Sequence, residues 1–396
     1  MAKKNSKKTV PELRFRGFTD PWEQRQLGEV VVRRSAQAIS TEDMPSVEYE
    51  DVEAGRGALV RDFTSKEGKR GICFEPGDVL YGKLRPYLGN RLKPGFRGVA
   101  VGDWWVLAPS SVASSFLFSL IQSPRFITVA NQSSGSKMPR ADWKLVGSAA
   151  FGIPSLPEQR RIGEFFSTLD SLIAAAERQE DLLKQKKQAY LQLMFPQEGK
   201  TEPRLRFSAF NDAWKRIALA SVLKINEERN NTSEFGFDRT ISVSTMHFKP
   251  EGNGAAHASL ETYRVLRVGD VAFEGNRHKE YPYGHVVIND IGDGLMSSRF
   301  RSFRPTRPIC VPFWKYLLQN RYIMTPLLLR STMRGTLMNE LVVDDFLRQR
   351  IPMPSLHEQL KIGDFFETLD RLVENAEGRI VQLRKMKSSY LQKLFV

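Results

Sequence analysis

The sequence predicts an α+β protein: two similar mixed α/β globular domains joined by two long antiparallel coiled-coil helices, with a pseudo-two-fold internal repeat. One stretch occurs twice. Residues 154–195 and 354–395 align without a gap, 200 positions apart, and 21 of the 42 aligned residues are identical. The segments that precede the two copies share landmarks of their own. A match of this length does not arise from composition, so the repeat defines the architecture.

Both copies place apolar residues seven positions apart, which is typical of helices that pair along one face. This seam comprises Ile162, Leu169, Ala176, Leu183 and Tyr190 in the first copy, and Ile362, Leu369, Ala376, Leu383 and Tyr390 in the second. A second apolar line lies four residues further on, at Phe166, Ile173 and Met194 and at Phe366, Val373, Ile380 and Leu394. The other faces are rich in charge, so each helix needs a partner along one stripe.

Each copy begins with Ser-x-x-Glu, at Ser155 to Glu158 and at Ser355 to Glu358. This pattern predicts a capping box, in which the serine oxygen and the carboxylate accept hydrogen bonds from free amides of the first turn. A helix from residue 157 to 195 would be roughly 57 Å long at 1.5 Å per residue. We expect the two helices to pair and to run antiparallel, because the second returns the chain that the first carries away.

The predicted boundaries follow the repeat. They are a basic disordered tail (1–10), a first globular domain (11–153), a helix (154–196), a linker (197–202), a second globular domain (203–353) and a second helix (354–396). Pro11–Trp22 matches Pro203–Trp214, and Gly77-Asp78-Val79 matches Gly269-Asp270-Val271 at the same offset of 192. The Gly-Asp-Val turns predict strand entries, and residues 114–123 and 311–320 each predict one packed helix. The offset reaches 200 by Gly135 and Gly335, so eight inserted residues are expected in loops.

Composition narrows the class of partner. The formal net charge is +14 and the pI is near 9.7, which favours a polyanion, either nucleic acid or an acidic membrane surface. Cys73 and Cys310 form no disulfide framework, so a reducing cytoplasm is expected. The basic N-terminus lacks the apolar run of a secretory signal, and the longest apolar stretch, Val112 to Ile121, is too short to span a bilayer.

The two globular domains share landmark residues, but the stretches between those landmarks differ. The first carries cations mixed with an aromatic ring and amides, followed by a second basic cluster: Lys83, Arg85, Tyr87, Asn90, Arg91 and Lys93, then Gln132, Ser136, Lys137 and Arg140. The second carries Asn276, Arg277, His278, Lys279 and Tyr281, then Arg299, Arg301, Arg304 and Arg334. Arg pairs with guanine edges, Asn and Gln with adenine edges, and Lys with phosphates. We therefore predict DNA contacts here; the alternative is a solvated basic face.

Catalytic patterns are scarce. The sequence has no phosphate-binding Gly-x-x-x-x-Gly-Lys loop and no pair of histidines or cysteines at metal-ligand spacing. Asp62, Glu67 and Lys69 fit a nuclease pattern only weakly, because Mg²⁺ would need paired acids and the second domain has no counterpart. Two alternatives remain open: a single-chain metal-dependent nuclease, and a coiled-coil adaptor that does not read DNA.

Two variable domains, each followed by a helix with PSLxEQ, IGxFFxTLD and YLQ, closely resemble the specificity subunit of type I restriction-modification systems. The resemblance covers almost the whole chain. It implies a non-catalytic subunit whose globular domains are target-recognition domains, one for each half of a split duplex DNA sequence. It also implies two methyltransferase subunits and restriction subunits as partners, which bring DNA adenine methylation and ATP-dependent cleavage. S-adenosylmethionine, ATP and Mg²⁺ belong to those partners, and this chain is expected to bind no cofactor or metal.

The repeat by itself predicts a compatible geometry, and the resemblance adds a docking site. Two readers related by the local two-fold of DNA bind half-sites about one helical turn apart, roughly 34 to 36 Å between centres. Because the two surfaces differ, the target should be asymmetric. Methyltransferase subunits are expected on the outer faces of the helices, where Phe165, Phe166, Phe365 and Phe366 are the candidate contacts, although about half of them suit the core equally well.

Overall fold

Short strands and helices alternate through the first globular domain, as the sequence pattern predicts. The computed structural model describes residues 10–132, 138–197, 199–251, 257–336 and 338–395, so residues 1–9 of the predicted tail and Ser136 and Lys137 lie outside the described residues. The strands are β1 Glu23–Gln26, β2 Val31–Arg33, β3 Gln37–Ile39, β4 Ser46–Val47, β5 Arg70–Phe74, β6 Val79–Gly82, β7 Arg91–Leu92, β8 Gly98–Ala100, β9 Trp104–Pro109 and β10 Ala150–Ile153. The helices are α1 Leu27–Val30, α2 Ser114–Leu120, α3 Pro124–Ala130 and α4 Trp143–Ser148, and the long helix α5, Leu156–Leu193, follows.

The second globular domain has a similar order of elements, with an additional hairpin between its last two helices. Its strands are β11 Lys215–Ala218, β12 Leu223–Ile225, β13 Ile241–Ser242, β14 His247–Phe248, β15 Arg264–Leu266, β16 Val271–Glu274, β17 His285–Ile288, β18 Gly294–Met296, β19 Arg301–Pro305, β20 Thr332–Arg334, β21 Asn339–Leu341 and β22 Arg350–Met353. Its helices are α6 Val311–Gln319, α7 Arg321–Leu329 and α8 Val343–Arg348, and the long helix α9, Leu356–Leu394, follows.

Each domain is built on an antiparallel four-stranded sheet of the same topology. The strand order is β2-β9-β6-β7 in the first domain and β12-β19-β16-β17 in the second. The register is also shared, since Val79 lies opposite Leu107 and Val271 lies opposite Phe303. The two segments that share landmarks are therefore two copies of one scaffold. The sequence repeat predicted this duplication, and the structure adds the strand order.

The repeated Gly-Asp-Val turn enters the centre of each sheet, as predicted. Gly77 and Gly269 have φ angles of +95° and +89°, a conformation that favours glycine. The Asp78 carboxylate accepts a hydrogen bond from the backbone N–H of Glu75 at 2.8 Å and binds Arg34 at 2.6 Å. Asp270 does the same in the second domain, where Arg267 N–H and the Arg304 guanidinium are its donors, at 2.9 and 2.8 Å. The aspartate closes the turn and ties it to a neighbouring segment.

The two predicted packed helices are α2 and α6, which cover one face of each sheet. Their apolar side chains, Phe116 and Leu117 in α2 and Phe313 and Trp314 in α6, are at most 1% exposed. Each also lies against the start of a long helix, at Gly163 or at Gly363. A Cβ at these glycines would overlap Ser115 of α2 or Pro312 of α6. This close approach explains the glycine in both copies of the IGxFF element, in spite of its low helix propensity.

Contact density divides the chain into two units that differ from the domains read in chain order. One unit is Met1–Glu177 with Gly378–Val396, and the other is Arg178–Glu377. Each unit therefore combines one globular domain, the first half of the long helix that follows it, and the last half of the other long helix. In each unit these helix halves join the core of the domain.

Candidate DNA-reading surfaces and paired helices

In the first domain the two basic clusters meet on one surface. The loop between β6 and β7, residues 83–90, lies beside residues 139–141: Arg85 N–H donates to the Pro139 carbonyl at 2.7 Å, and Ala141 N–H donates to the Lys83 carbonyl at 2.8 Å. Arg140 and Lys83 both bind the Asp103 carboxylate, at 3.1 and 3.5 Å. Although burial acts to raise the pKa of Asp103, these cations hold it below its ordinary value.

The second domain forms the equivalent surface from different residues. Asn339 N–H donates to the Gly275 carbonyl at 2.8 Å, and its side-chain amide donates to the Pro282 carbonyl at 2.9 Å. Arg277 reaches the Gly335 carbonyl. The β16–β17 loop therefore lies beside the β20–β21 hairpin, as the β6–β7 loop lies beside residues 139–141 in the first domain.

Most of the predicted DNA-contacting side chains in the described part of the chain are exposed. Exposed residues are Arg85, Tyr87, Lys93, Gln132, Arg140, Asn276, Arg277, His278, Lys279, Arg299, Arg301 and Arg334, and Lys83, Arg91, Tyr281 and Arg304 are half-buried. Tyr281 stacks on His285, with ring centroids 4.1 Å apart. Contact with DNA stays a prediction for each of these residues, and the structure supplies the surface on which it would occur.

Three of the predicted residues have roles inside the domains. Asn90 is only 6% exposed, so its amide is part of the interior. Arg91 donates to the carbonyls of Gly89 and Gly55 and lines a cavity of about 620 Å³ in the first unit, where burial lowers its pKa to about 10. Arg304 is bound by Asp270 at 2.8 Å and by Glu228 at 2.6 Å. The sequence shows a mixture of cations and amides but does not show which of them face inward.

Within each unit the two helix halves run antiparallel, as predicted. In the first unit Phe165 packs against Tyr390 with ring centroids 5.0 Å apart, Asp170 binds Lys387 at 2.6 Å, and Glu177 binds Arg384 at 2.6 Å. One residue number rises as its partner's falls, which is the signature of an antiparallel pair.

The second unit repeats this ladder with the equivalent residues. Phe365 packs against Tyr190 at 5.0 Å, Asp370 binds Lys187, and Glu377 binds Lys184 at 2.7 Å. Most of these contacts use residues that are identical in both copies of the repeat. Part of the sequence identity therefore encodes the pairing of the helices.

The apolar seam lies between these contacts. Ile162, Leu169, Ala176, Ile362, Leu369 and Ala376 are at most 8% exposed, and Leu183, Tyr190, Leu383 and Tyr390 are half-buried. From the second apolar line, Phe166, Met194, Phe366, Ile380 and Leu394 are also buried, whereas Ile173 and Val373 are half-buried. The buried part of the stripe therefore extends from the start of each helix to its middle, at Ala176, Ala376 and Ile380.

Comparison with known proteins supports the same assignment. Residues 211–385 match the model of the type I restriction modification DNA specificity domain. This part of the chain is similar to the specificity subunits of type I restriction-modification systems. The type I restriction enzyme MjaVIII specificity subunit of Methanocaldococcus jannaschii is 23% identical over 340 residues, which are 80% of this chain and 75% of that protein.

Two solved structures share the fold of this chain. The type I restriction-modification S subunit of M. genitalium superposes with a TM-score of 0.59 and 12% identity, covering 98% of this chain and 99% of the other. A chain from a study of complex assembly and conformational transition of the type I R-M system gives a TM-score of 0.55 and 18% identity, with 94% and 97% covered. At these identities the likeness concerns the fold.

The capping-box prediction was wrong in one part. Glu158 and Glu358 are only 1% exposed, and their carboxylates do not cap the helix backbone. Glu158 instead accepts two hydrogen bonds from Arg14, both at 2.7 Å, and Glu358 accepts two from Arg206, at 2.7 and 2.8 Å. A carboxylate binds a guanidinium more strongly than it binds a backbone amide, because both partners are charged and the two hydrogen bonds form side by side.

The same arginine segments hold the ends of the opposite helices. Leu13 N–H donates to the Lys393 carbonyl of α9 at 3.0 Å, and Leu205 N–H donates to the Leu193 carbonyl of α5 at 2.9 Å. These residues belong to a repeated Leu-Arg-Phe element, which is Leu13–Phe15 in the first unit and Leu205–Phe207 in the second. In each unit this element therefore connects the start of one long helix to the end of the other. The repeat of this element is visible in the sequence, but its role in joining the helix ends was not predicted. The arginine kept at the same position in both copies, Arg14 and Arg206, was the available signal.

The prediction that four phenylalanines contact a partner also needs correction. Phe166 and Phe366 are at most 1% exposed and belong to the cores of the two units. Phe165 and Phe365 are half-buried and pack on the tyrosines of the helix ladder. The first two have no surface to offer to another subunit, and the second two offer at most an edge.

No helix in the described part of the chain is long and apolar enough to cross a bilayer. Among the described residues there is also no group of three or more His, Cys, Asp or Glu that could hold a metal ion. In the weak nuclease pattern, Asp62 and Glu67 are exposed and the Lys69 ammonium binds Glu48 at 3.2 Å.

Proposed function

We propose that each globular domain reads one half of an asymmetric, bipartite duplex DNA target, and that the helix pair sets the spacing of the two halves. The chain is the non-catalytic reader of a complex in which methyltransferase and restriction subunits act, using S-adenosylmethionine, ATP and Mg²⁺. The match of residues 211–385 to the specificity-domain model and the similarity to a curated specificity subunit support this role, and the surfaces described above offer the residues for it.

The observation that carries the proposal is one scaffold with two different surfaces. Sheet order, turn and helix packing are the same in both domains, whereas the β6–β7 loop and the β16–β17 loop share almost no residues. Base edges are distinguished by the donor and acceptor groups that face them. Two different loop surfaces on one scaffold are therefore suited to two different half-sites.

Residues on the outer faces of the helices suggest where methyltransferase subunits bind. Leu156 and Leu356 are 49% and 60% exposed, and Leu172 and Leu372 are 41% and 45% exposed, although each leucine is identical in both copies. A single exposed leucine is ordinary, but the same exposed leucine twice has no explanation in the core. Phe165, Thr168 and Leu172 follow i, i+3 and i+7 spacing and so form one stripe, repeated in the second copy. We assign this stripe to the same partner, bound once on each helix.

The test is methylome sequencing of a host that expresses the chain with its methyltransferase partner. The expected result is one asymmetric split motif. Replacing residues 83–90 with another sequence should alter one half-site, and replacing residues 276–282 should alter the other. A palindromic or unsplit motif, or a change in both half-sites from one replacement, contradicts the proposal. Metal-dependent cleavage or methylation of DNA by the purified chain alone would favour the nuclease alternative.

A further inference from the structure

The β6–β7 loop presents an aromatic ring at the surface of the first domain. Tyr87 is 62% exposed and its neighbour Leu88 is 39% exposed, whereas Tyr81, on the preceding strand, is 2% exposed. Burying an aromatic side chain removes about 150–250 Å² of surface from water, so folding usually hides such rings. The position of Tyr87 is thus explained poorly by stability of the domain.

Hydrogen bonds to the Tyr49 hydroxyl fix the backbone of the loop that carries this ring. Leu84 N–H donates to the Tyr49 hydroxyl at 2.9 Å, and that hydroxyl donates to the Asp103 carbonyl at 2.8 Å. Arg85 and Gly89 flank the turn in left-handed conformations, with φ of 48° and 64°. A ring on a pre-ordered turn loses little conformational entropy when it binds.

The charge around Tyr87 favours nucleic acid as its ligand. Lys83, Arg85 and Arg140 belong to the same surface, and Asp103 is the carboxylate that binds two of them. Cations contact phosphates without regard to sequence, and an aromatic ring among them can stack on a base. Several DNA-binding proteins also insert apolar wedges between base pairs and thereby bend the duplex.

We propose that Tyr87 is an aromatic wedge that stacks on a base step in the half-site read by the first domain. This inference rests on the proposed DNA-reading function. The second domain differs, because its loop tyrosine, Tyr281, is already stacked on His285 at 4.1 Å with an angle of 21° between the rings. Unstacking of a base step other than the methylated adenine is thus expected in one half-site and not in the other.

The experiment uses the chain assembled with its methyltransferase subunits and a duplex that carries the motif from methylome sequencing. In one series, 2-aminopurine replaces single bases along both half-sites. With the natural chain, binding should raise the fluorescence at one step of the first half-site besides the methylated adenine, which the methyltransferase extrudes by itself. Tyr87→Ala should abolish that rise and lower the affinity about 5- to 150-fold, from roughly 1–3 kcal/mol of stacking per base. Tyr87→Phe keeps the ring and should retain both properties.

Tyr322 on α7 is the matched control, since it is 53% exposed and lies in the other domain. Tyr322→Ala should leave the fluorescence at the first half-site unchanged. The inference is overturned if Tyr87→Ala binds within twofold of the natural chain, or if that substitution removes the methyltransferase subunits instead. A natural complex that binds no specific duplex contradicts the proposed function itself, so the two failures are distinguishable.

Discussion

The buried ion pair between Arg14 and Glu158 allows a quantitative test of how the units are held together. Both hydrogen bonds are 2.7 Å long, and the side chains are 13% and 1% exposed. Glu158→Gln keeps the size of the side chain and removes its charge, which leaves a buried guanidinium without a counter-charge. Breaking a buried pair in this way costs about 3–5 kcal/mol, or roughly a 150- to 4,500-fold rise in the population of the locally open state.

The assay is hydrogen exchange followed by mass spectrometry on the intact chain. In Glu158→Gln, exchange should accelerate in residues 11–22 and 388–395, which Arg14 and Leu13 hold together. The equivalent residues 203–214 and 188–195 of the other unit serve as an internal control, because Arg206 and Glu358 are untouched. Glu358→Gln should reverse the pattern. In the natural chain the Trp214 indole N–H donates to the Glu358 carboxylate at 3.3 Å. The amide of Glu358→Gln still offers an oxygen to this donor, so the lost charge is the main change in that variant.

A double-mutant cycle separates the ion pair from general damage. Arg14→Met with Glu158→Gln removes both charges, so the double variant should cost less than the sum of the two single variants. Arg25→Met provides the comparison: Arg25 and Glu29 also lie 3.0 Å apart, but they are 41% and 49% exposed, and such a pair contributes about 0–1 kcal/mol. The reasoning is refuted if Glu158→Gln accelerates exchange no more than Arg25→Met does.

Three further predictions concern the helices and the second domain. Leu172→Glu or Leu372→Glu should each remove one of two methyltransferase subunits from the purified complex, whereas Leu182→Glu, at a position 55% exposed and not shared by the two copies, should remove none. Inserting seven residues into both helices should lengthen the spacer of the methylated motif, by up to about 10 Å of helix, and should leave both half-sites unchanged; altered half-site bases would contradict the spacing role. Burial lowers the pKa of His285 from 6.5 to about 4, so the stability that the neutral ring contributes is present above pH 6.5 and is lost as the pH falls toward 4. The loss should reach about 2 kcal/mol by pH 5. In urea unfolding, His285→Gln should reduce this fall in stability between pH 6.5 and pH 4, and exposed His247→Gln should not.

The helix pair shows how far periodicity reaches. Seven-residue spacing predicts the seam at Ile162, Leu169 and Ala176, and these residues are buried, because a helix places such positions on one face whatever surrounds it. Chain order predicts the antiparallel direction. The polar contacts that fix the register, such as Asp170 with Lys387, were beyond the sequence argument, since many Asp and Lys residues occupy the same helices.

The candidate DNA-reading surfaces show where composition stops being informative. Arg85, Asn90 and Arg91 are close in the chain and were predicted together, yet the first is exposed, the second is buried, and the third lines a cavity. Which way a loop residue points depends on the turn that carries it and on the segment packed beneath it. Here those are the left-handed Arg85 and the strand-like contact with Pro139.

The repeated PSLxEQ and Leu-Arg-Phe elements separate most clearly what the sequence determines from what only the tertiary structure decides. The sequence by itself determined that the chain is a duplicated scaffold with two long paired helices, because repeats and periodicity are local properties that survive in one dimension. Only the tertiary structure decided that Glu158 meets Arg14, and Glu358 meets Arg206, across more than 140 residues of chain. A buried charge is satisfied by whichever opposite charge the fold brings within hydrogen-bonding distance, and that neighbour is a property of three dimensions.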